Sequence, residues 1–323
     1  MNLFNKDIIP PITGITFQMN MNKLLVLLYV VIFFLLGGCS SSQPKTLISH
    51  STHQSNSTTA KIVPLLKVMT LNLAHGRKES WNQMFLSQSA IKNNLLDIAK
   101  VFKQQNIDII ALQEADAPSL WSGNFNHITW LSQQSNYLNY IQASHANSWL
   151  FSYGTGLLSR WPFTDSMQHT FTPSPPTLNK GFALGQIAWK FNTEKEAVLV
   201  DIISVHLDFS RESIRKQQLI EIKSFISERK QKGQNHPMII MGDFNSDWFA
   251  KGKVIQALTE KGHFHVYKPE AKNLGSYKST HRLDWIIISK ELDFKSLNVL
   301  PDKLSDHSAV VAEIVLKVQP ENK

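Results

Sequence analysis

An apolar run at residues 237–241 ends abruptly in Gly242-Asp243-Phe244-Asn245. A buried strand there would hand one carboxylate and one carboxamide to the edge of a sheet, where ligands and catalytic groups sit. Two residues apart on an extended backbone, Asp243 and Asn245 would point to the same side and reach one bound group. The same offset recurs in Val205-His206-Leu207-Asp208, which would turn His206 and Asp208 towards one cleft. Asn72 and Glu114 close two further apolar runs, Asp284 opens another, and Asp306 and His307 set an acid beside a base before the last. Singly each pattern is ordinary, since Gly-Asp-x-Asn after a strand is more often a capped turn and a terminal Glu more often a surface residue. Together they supply hard oxygen ligands for a divalent cation and imidazoles that carry protons or charge.

The elements that must position these groups alternate along the chain. Strands are expected at residues 65–73, 107–114, 153–162, 183–191, 197–205, 237–243 and 284–288, with a final one after Ser308. Helices are expected at 87–105, with Ile91, Leu95, Ile98 and Phe102 in one stripe, at 211–229 behind a Ser210 cap, and at 248–261. Arg215 and Gln218 would lie on the first turns of the second helix, near His206. Residues 115–131 read as an irregular, aromatic loop after Glu114, and Tyr153 would open the strand beyond it. His263 and His265 flank Phe264 with no third ligand nearby and read as surface histidines.

Six segments in this order, Leu-Asn-Leu, Ile-Ala-Leu-Gln-Glu, Val-His-Leu-Asp, Met-Gly-Asp-Phe-Asn, Leu-Asp-Trp-Ile and Ser-Asp-His-Ser-Ala-Val, resemble the endonuclease/exonuclease/phosphatase superfamily over about residues 65–317. The resemblance implies a four-layered α/β sandwich, two mixed sheets packed face to face with helices outside. It also implies hydrolysis of a phosphoester with Mg²⁺ or Mn²⁺. By the same resemblance Glu114, Asn72 and Asp306 hold the metal, Asp243 orients or deprotonates the attacking water, and Asn245 holds that water or a phosphate oxygen. Asp284 orients His307, His206 and His307 face the phosphoryl oxygens, Tyr153 adds a phenolic donor, and Asp208 and Arg215 contact substrate. The residue types suit the task, because negative charge growing on a phosphoester oxygen is neutralised by a cation held on hard oxygens. The superfamily acts on nucleic acids, phospholipid headgroups and inositol phosphates, so the resemblance leaves the substrate open. The aromatic loop, the His-Leu-Asp segment with Arg215 and Gln218, and the membrane tether described below lean slightly towards a phospholipid headgroup. A fold kept only for binding is the alternative, and it would be expected to lose some of these polar positions.

The first residues concern location. Residues 24–36 form a continuous apolar run after Lys23, too short to span a bilayer but suited to a signal peptide, and it ends in Leu36-Gly37-Gly38-Cys39. This resembles a bacterial lipobox with Cys39 acylated, which implies a lipid-anchored protein of the cell envelope, in the outer membrane or on a periplasmic or extracellular face. Residues 1–39 are then leader and signal, 40–63 a polar tether containing His50 and His53, and 64–323 one catalytic domain. Cys39 is the only cysteine, so disulfides, thiolate metal sites and a cysteine nucleophile are all excluded from a domain that starts after it. A serine-esterase elbow is absent as well. Beyond residue 38 there are 31 basic and 24 acidic residues, a diffuse excess with no dense run that would mark a nucleic-acid-binding arm.

Overall fold

The computed structural model describes residues 62–317. The expected signal segment, Cys39 and nearly all of the tether lie outside the described residues. One sheet contains β1 (Leu66–Asn72), β2 (Ile109–Gln113), β3 (Asn139–Asn147), β4 (Ser152–Ser159), β11 (Leu292–Val299) and β12 (Val310–Leu316), in the order β11-β12-β1-β2-β4-β3. The other contains β5 (Phe163–Thr170), β6 (Gly181–Trp189), β7 (Val198–His206), β8 (Met238–Asp243), β9 (Phe264–Val266) and β10 (Asp284–Ser289), in the order β5-β6-β7-β8-β10-β9.

The two sheets share a plan. Each has one parallel pair at its centre, β1 with β2 and β7 with β8, and antiparallel neighbours on both sides. Parallel neighbours need a crossover, and a helix supplies it in both cases: α1 (Gln88–Gln104) after β1 and α3 (Glu212–Gln231) after β7. Ser87 caps α1 by accepting the Ala90 N–H, and Ile91, Leu95, Ile98 and Phe102 make its buried stripe. With α2 (His127–Ser135), α1 covers the outer face of the first sheet, while α3 and α4 (Val254–Thr259) cover the outer face of the second. The mixed sheets and outer helices match the expected sandwich.

The two-residue period of a strand separates these faces. Met69, Leu71, Ile110 and Leu112 pack outward under α1, whereas Leu66, Val68, Ile109, Ala111, Ile202, Ile239, Met241 and Ile286 fill the core between the sheets. Followed towards the carboxyl ends of the parallel pairs, the inner rows turn polar. Thr70 donates to Gln113 (3.2 Å), Gln113 to Ser204 (3.1 Å), and Ser204 to the Leu112 carbonyl (3.0 Å), all fully buried. One step further along the same rows stand Asn72, His206, Asp243 and Asp284.

Three expectations need correction. The edge strands β3, β5, β9 and β11 were not anticipated. Helix 248–261 shrinks to α4, because the Asp247 carboxylate takes the Phe249 and Arg282 N–H groups into a turn and Lys253 adopts a left-handed φ of 50°. Ser210 does not cap α3, whose first turn has no side-chain cap; Asp208 instead accepts the Ser210 and Arg211 N–H groups just ahead of the helix.

Gly242 links the fold to the site. Its φ is +152°, and a Cβ built there would lie 1.9 Å from the Val205 carbonyl oxygen on β7. Any side chain must therefore part the parallel pair that carries His206 and Asp243. Gly242→Ala is expected to cost roughly 2–5 kcal/mol of stability by denaturant titration, the sum of backbone strain and overpacking. A variant as stable as the parent would show that the two strands are free to separate there.

Candidate active site

The carboxyl ends of both parallel pairs meet at one pole of the sandwich, and the starts of their antiparallel neighbours meet them there. In register, Asn72 lies beside Gln113, His206 beside Asp243, Asp284 across from Asp243, and Gly181 across from His206. Strand pairing gathers Gly181, His206, Asp243 and Asp284 in one sheet, and the packing of the two sheets sets Asn72 against Asp243.

Asp243 is 1% exposed. Its Oδ1 accepts the Asn245 N–H (2.8 Å) and its Oδ2 the Asn72 amide (3.0 Å), with the Nε2 atoms of His206 and His307 at 3.6 and 3.8 Å. Burial and the neighbouring Asp284 charge raise its pKa to about 7, despite the His307 charge and these hydrogen bonds. Asp284 is fully buried; its Oδ2 accepts from Ser276 Oγ (2.6 Å) and lies 2.7 Å from His307 Nδ1. Burial opposes a charge on His307, but Asp284 and Asp243 outweigh it and raise its pKa to about 10. His206 behaves oppositely: burial and the Lys180 charge hold it well below 6.5. The same residue type therefore stands charged at 307 and neutral at 206 around one carboxylate.

Glu114 follows β2 with φ +49°, a left-handed turn that swings its carboxylate off the strand row. It accepts from the Tyr153 hydroxyl (3.1 Å) and sits 3.2 Å from His75 Nε2. Burial would raise its pKa, yet His75, His206, Lys180 and His307 lower it to about 2, so the carboxylate is ionised. The Tyr153 hydroxyl also lies 3.1 Å from His206 Nδ1 and receives a hydrogen bond from Lys180.

The structure brings Asn72, Glu114, Tyr153, His206, Asp243, Asp284 and His307 together. It gives the other expected site residues different partners. Asn245 is not extended (φ +47°), so it does not share a face with Asp243; its amide instead donates to the Leu207 carbonyl (3.0 Å). Asp208 is fully buried and accepts from Ser210, Arg211 and Thr177, which ties the start of α3 to a neighbouring loop and leaves no oxygen for a substrate. Arg215 donates to the Asp208 and Phe209 carbonyls, so it too belongs to that turn. Asp306 forms an ion pair with Arg77. Asn72, expected as a metal ligand, spends its oxygen on the Ala74 N–H (2.9 Å) and its nitrogen on Asp243.

Sequence reasoning passed over three groups. Lys180 is 4% exposed, its ammonium 3.5 Å from His206 Nε2 and 3.6 Å from the centre of the Tyr153 ring. Burial lowers its pKa to about 8 against the pull of Glu114, Asp243, Asp208 and Asp116. Its position just before β6, whose first residue pairs with His206, was the available signal. His75 bridges two carboxylates, Glu114 at 3.2 Å and the buried Asp116 at 2.8 Å, and their charges raise its pKa. Ser276 holds Asp284 by accepting its N–H while donating to its carboxylate.

The donor set suits a hard divalent cation at one place. Glu114 is ionised and its side chain is 19% exposed, so one oxygen-rich group is open to an incoming ion. Among the described residues, Asp243 and Asp284 also lie close together, with Asp284 Oδ1 buried and without a hydrogen-bond partner, but the charged His307 beside them has no lone pair to offer a cation.

The His307–Asp284 pair predicts a pH signature. A pKa raised from 6.5 to about 10 in the folded protein gives stability that is fully present below pH 6.5 and is lost as pH rises through about 10. His307→Gln should therefore destabilise the fold most near pH 6 and progressively less towards pH 10, read by denaturant titration across that range. A penalty independent of pH would reject the charged pair.

Known proteins place this arrangement. The model of the Endonuclease/Exonuclease/phosphatase family matches residues 69–307. A family protein from Bacteroides thetaiotaomicron superposes with TM-score 0.61 at 17% identity, covering 80% of this chain and 98% of that one. The mannosyl-6-phosphatase of the same species gives 0.58 at 17%, covering 78% and 100%. The catalytic domain of human Nocturnin, with bound sulfate, gives 0.56 at 15%, covering 79% and 95%. No curated protein matches by sequence. At these identities the structures speak for the fold alone, but the family model spans most of the chain, and the chain belongs to the endonuclease/exonuclease/phosphatase family.

Proposed function

We propose that this protein is a divalent-cation-dependent hydrolase of phosphoesters, most readily a phosphodiesterase acting on a phospholipid headgroup or a nucleic acid. The observation that carries the reading is the cluster around Asp243: a buried carboxylate bonded to Asn72, with the Nε2 atoms of His206 and of Asp284-oriented His307 at 3.6 and 3.8 Å, the first held neutral and the second charged. Mg²⁺ or Mn²⁺ bound at Glu114 would neutralise charge on a phosphoryl oxygen. Asp243 takes the proton of the attacking water, and a pKa near the working pH suits a base that must also release that proton. His307 stabilises the charge that grows on the phosphoryl oxygens. His206 Nε2 lies between Asp243 (3.6 Å) and Lys180 (3.5 Å), so base and ammonium flank it on two sides. With a pKa of about 8, Lys180 can donate through Tyr153 to the departing oxygen as the P–O bond breaks.

The test is hydrolysis of a soluble phosphodiester by the full chain with Mg²⁺, in parallel with EDTA. Glu114→Gln should raise the Mg²⁺ concentration needed for half-maximal rate, and His307→Ala should lower turnover about 10²–10⁴-fold. The Asp284→Asn/His307→Ala double variant should lose little more than the worse single, because the pair acts as a unit. Full activity in excess EDTA would sink the metal-dependent reading. Wild-type rates no faster than buffer on every phosphoester would favour a binding protein.

The same reading sets the protein on a bacterial envelope through an acylated Cys39. Cys39→Ser should move the full chain out of the membrane fraction, and unchanged partition would remove the anchor from the proposal.

A further inference from the structure

We propose that the loops around the mouth of the site form a docking face for a lipid bilayer, so that the phosphoester is taken from a membrane surface. The substrate half of this rests on the phosphoesterase reading; the docking half does not.

Among the described residues, Trp81, Phe85, Trp149, Phe209 and Phe249 are between 63% and 78% exposed, and no other tryptophan or phenylalanine is comparably open. All five stand on loops at the site's pole. Trp81 and Phe85 are on the loop that leaves Asn72, with their rings stacked at 6.0 Å. Trp149 tips the β3–β4 hairpin that presents Tyr153, Phe209 follows His206 by three residues, and Phe249 follows Asn245 by four.

Each tip is fastened to the site by a contact close by. Arg77, on the Trp81 loop, bonds the Ser80 carbonyl (2.7 Å) and pairs with Asp306, next to His307. The Trp149 carbonyl accepts the Leu120 N–H (3.1 Å), and the adjoining Trp121 ring packs 5.5 Å from His75. The Lys180 ammonium is 5.7 Å from the Phe209 ring. The Asp247 carboxylate holds the Phe249 and Arg282 N–H groups, each at 3.1 Å, two residues from Asp284. Of the other exposed large side chains, Met84 and Leu120 stand on the same loops as Trp81 and Trp121, while Ile62, Leu138 and Ile220 are scattered aliphatics of the kind any surface carries.

The form of the rim selects a bilayer over a protein partner. A stable protein interface needs a continuous patch of about 800 Å² per partner with a dry core. Here the aromatics stand on four separate loops around an ionic mouth, and an apolar protein face would bury that mouth unpaired. A headgroup layer accepts dispersed tryptophan and phenylalanine tips while remaining wet and ionic over the site. Charge agrees: exposed Lys251 and Lys253 follow Phe249, and Lys278 is exposed beside Tyr277, whose ring packs on His307, so ammonium groups meet lipid phosphates.

Chain length permits the pose. The described chain starts at the other pole, where Val63 N–H donates to the Lys190 carbonyl (2.9 Å) at the end of β6 remote from Gly181. The nine residues of β6 span about 30 Å, and the 22 residues 40–61 could extend about 75 Å. A membrane attachment at Cys39 is therefore compatible with a site pole that faces the same membrane.

The test uses the full chain with Cys39→Ser and one introduced cysteine, Trp81→Cys, Phe249→Cys or Ile220→Cys, each labelled with an environment-sensitive fluorophore. Phosphatidylcholine vesicles, with and without phosphatidylglycerol, should shift emission to the blue at positions 81 and 249 and not at 220. No shift at 81 and 249, or an equal shift at 220, overturns the proposal. A shift that needs no vesicles and grows with protein concentration overturns it in favour of a second copy of the chain. In the natural sequence, Trp81→Ser with Phe85→Ser should lower hydrolysis of a vesicle-borne phosphodiester at least about tenfold and leave a soluble diester unaffected. Equal loss on both substrates rejects a role for the rim in delivery. If the wild type hydrolyses neither, the phosphoesterase reading fails, and the fluorophores alone decide the docking face.

Discussion

A carboxylate buried where two sheets meet sets the terms for this molecule. Taking Asp243 out of water costs several kcal/mol unless donors offset it, and the donors come from both halves of the sandwich. Asn72 and His307, the latter on the loop that enters β12, reach it from the first sheet, while the Asn245 N–H and His206 come from the second, as does the Asp284 that binds His307. The same contacts that make the charge tolerable close the pole of the sandwich. They do not make it comfortable: Asp284 stands across from Asp243 in register, and burial together with its repulsion makes Asp243 hold a proton up to about pH 7. A proton acceptor poised in that way is therefore a consequence of how the sheets are joined.

The passage from core to site is graded. Leu66, Val68, Ile202 and Ile239 make a dry interior at one end of the inner rows. The Thr70-Gln113-Ser204 chain then satisfies its own polar atoms without water, and only past it do ionisable groups appear. Satisfied neutral polar groups next to the charges strengthen the electrostatics of the site, because they hold fixed dipoles where bulk water would screen. The outer rows show no such gradient; they remain apolar beneath α1 and α3 to the end of the strands.

That division explains what the amino-acid sequence disclosed. Buried central strands are near-continuous apolar runs, so β1, β2, β7, β8 and β10 could be read directly, and so could the polar groups at their ends. The four strands passed over, β3, β5, β9 and β11, are the four sheet edges, where polar and charged residues blunt the pattern. The period-two argument held within strands and failed one step beyond them. Asp208 and Asn245 lie past the last ladder pair, where the chain turns, and a turn spends its carboxylate or carboxamide on backbone groups. Lys180 and His75 were hidden for another reason: a buried lysine and a histidine with left-handed φ look like a strand flank and a loop residue until carboxylates distant in sequence are set around them.

Charge at the mouth then follows from packing more than from composition. The excess of basic residues is modest and diffuse, yet His75, Lys180 and His307 converge on Glu114, and their summed field holds it near pKa 2 despite burial. A carboxylate so held is ionised at any working pH, whereas Asp243, facing another carboxylate, is not. Two acids within one cavity are thereby separated in role by their neighbours: one remains a permanent anion able to attract a cation, and the other can exchange a proton. The histidines divide in the same way, 307 charged by Asp284 and 206 kept neutral by burial and by Lys180. An anionic ester entering this pole meets positive charge at fixed points, with a proton acceptor between them, and this follows from strand register before any substrate is specified.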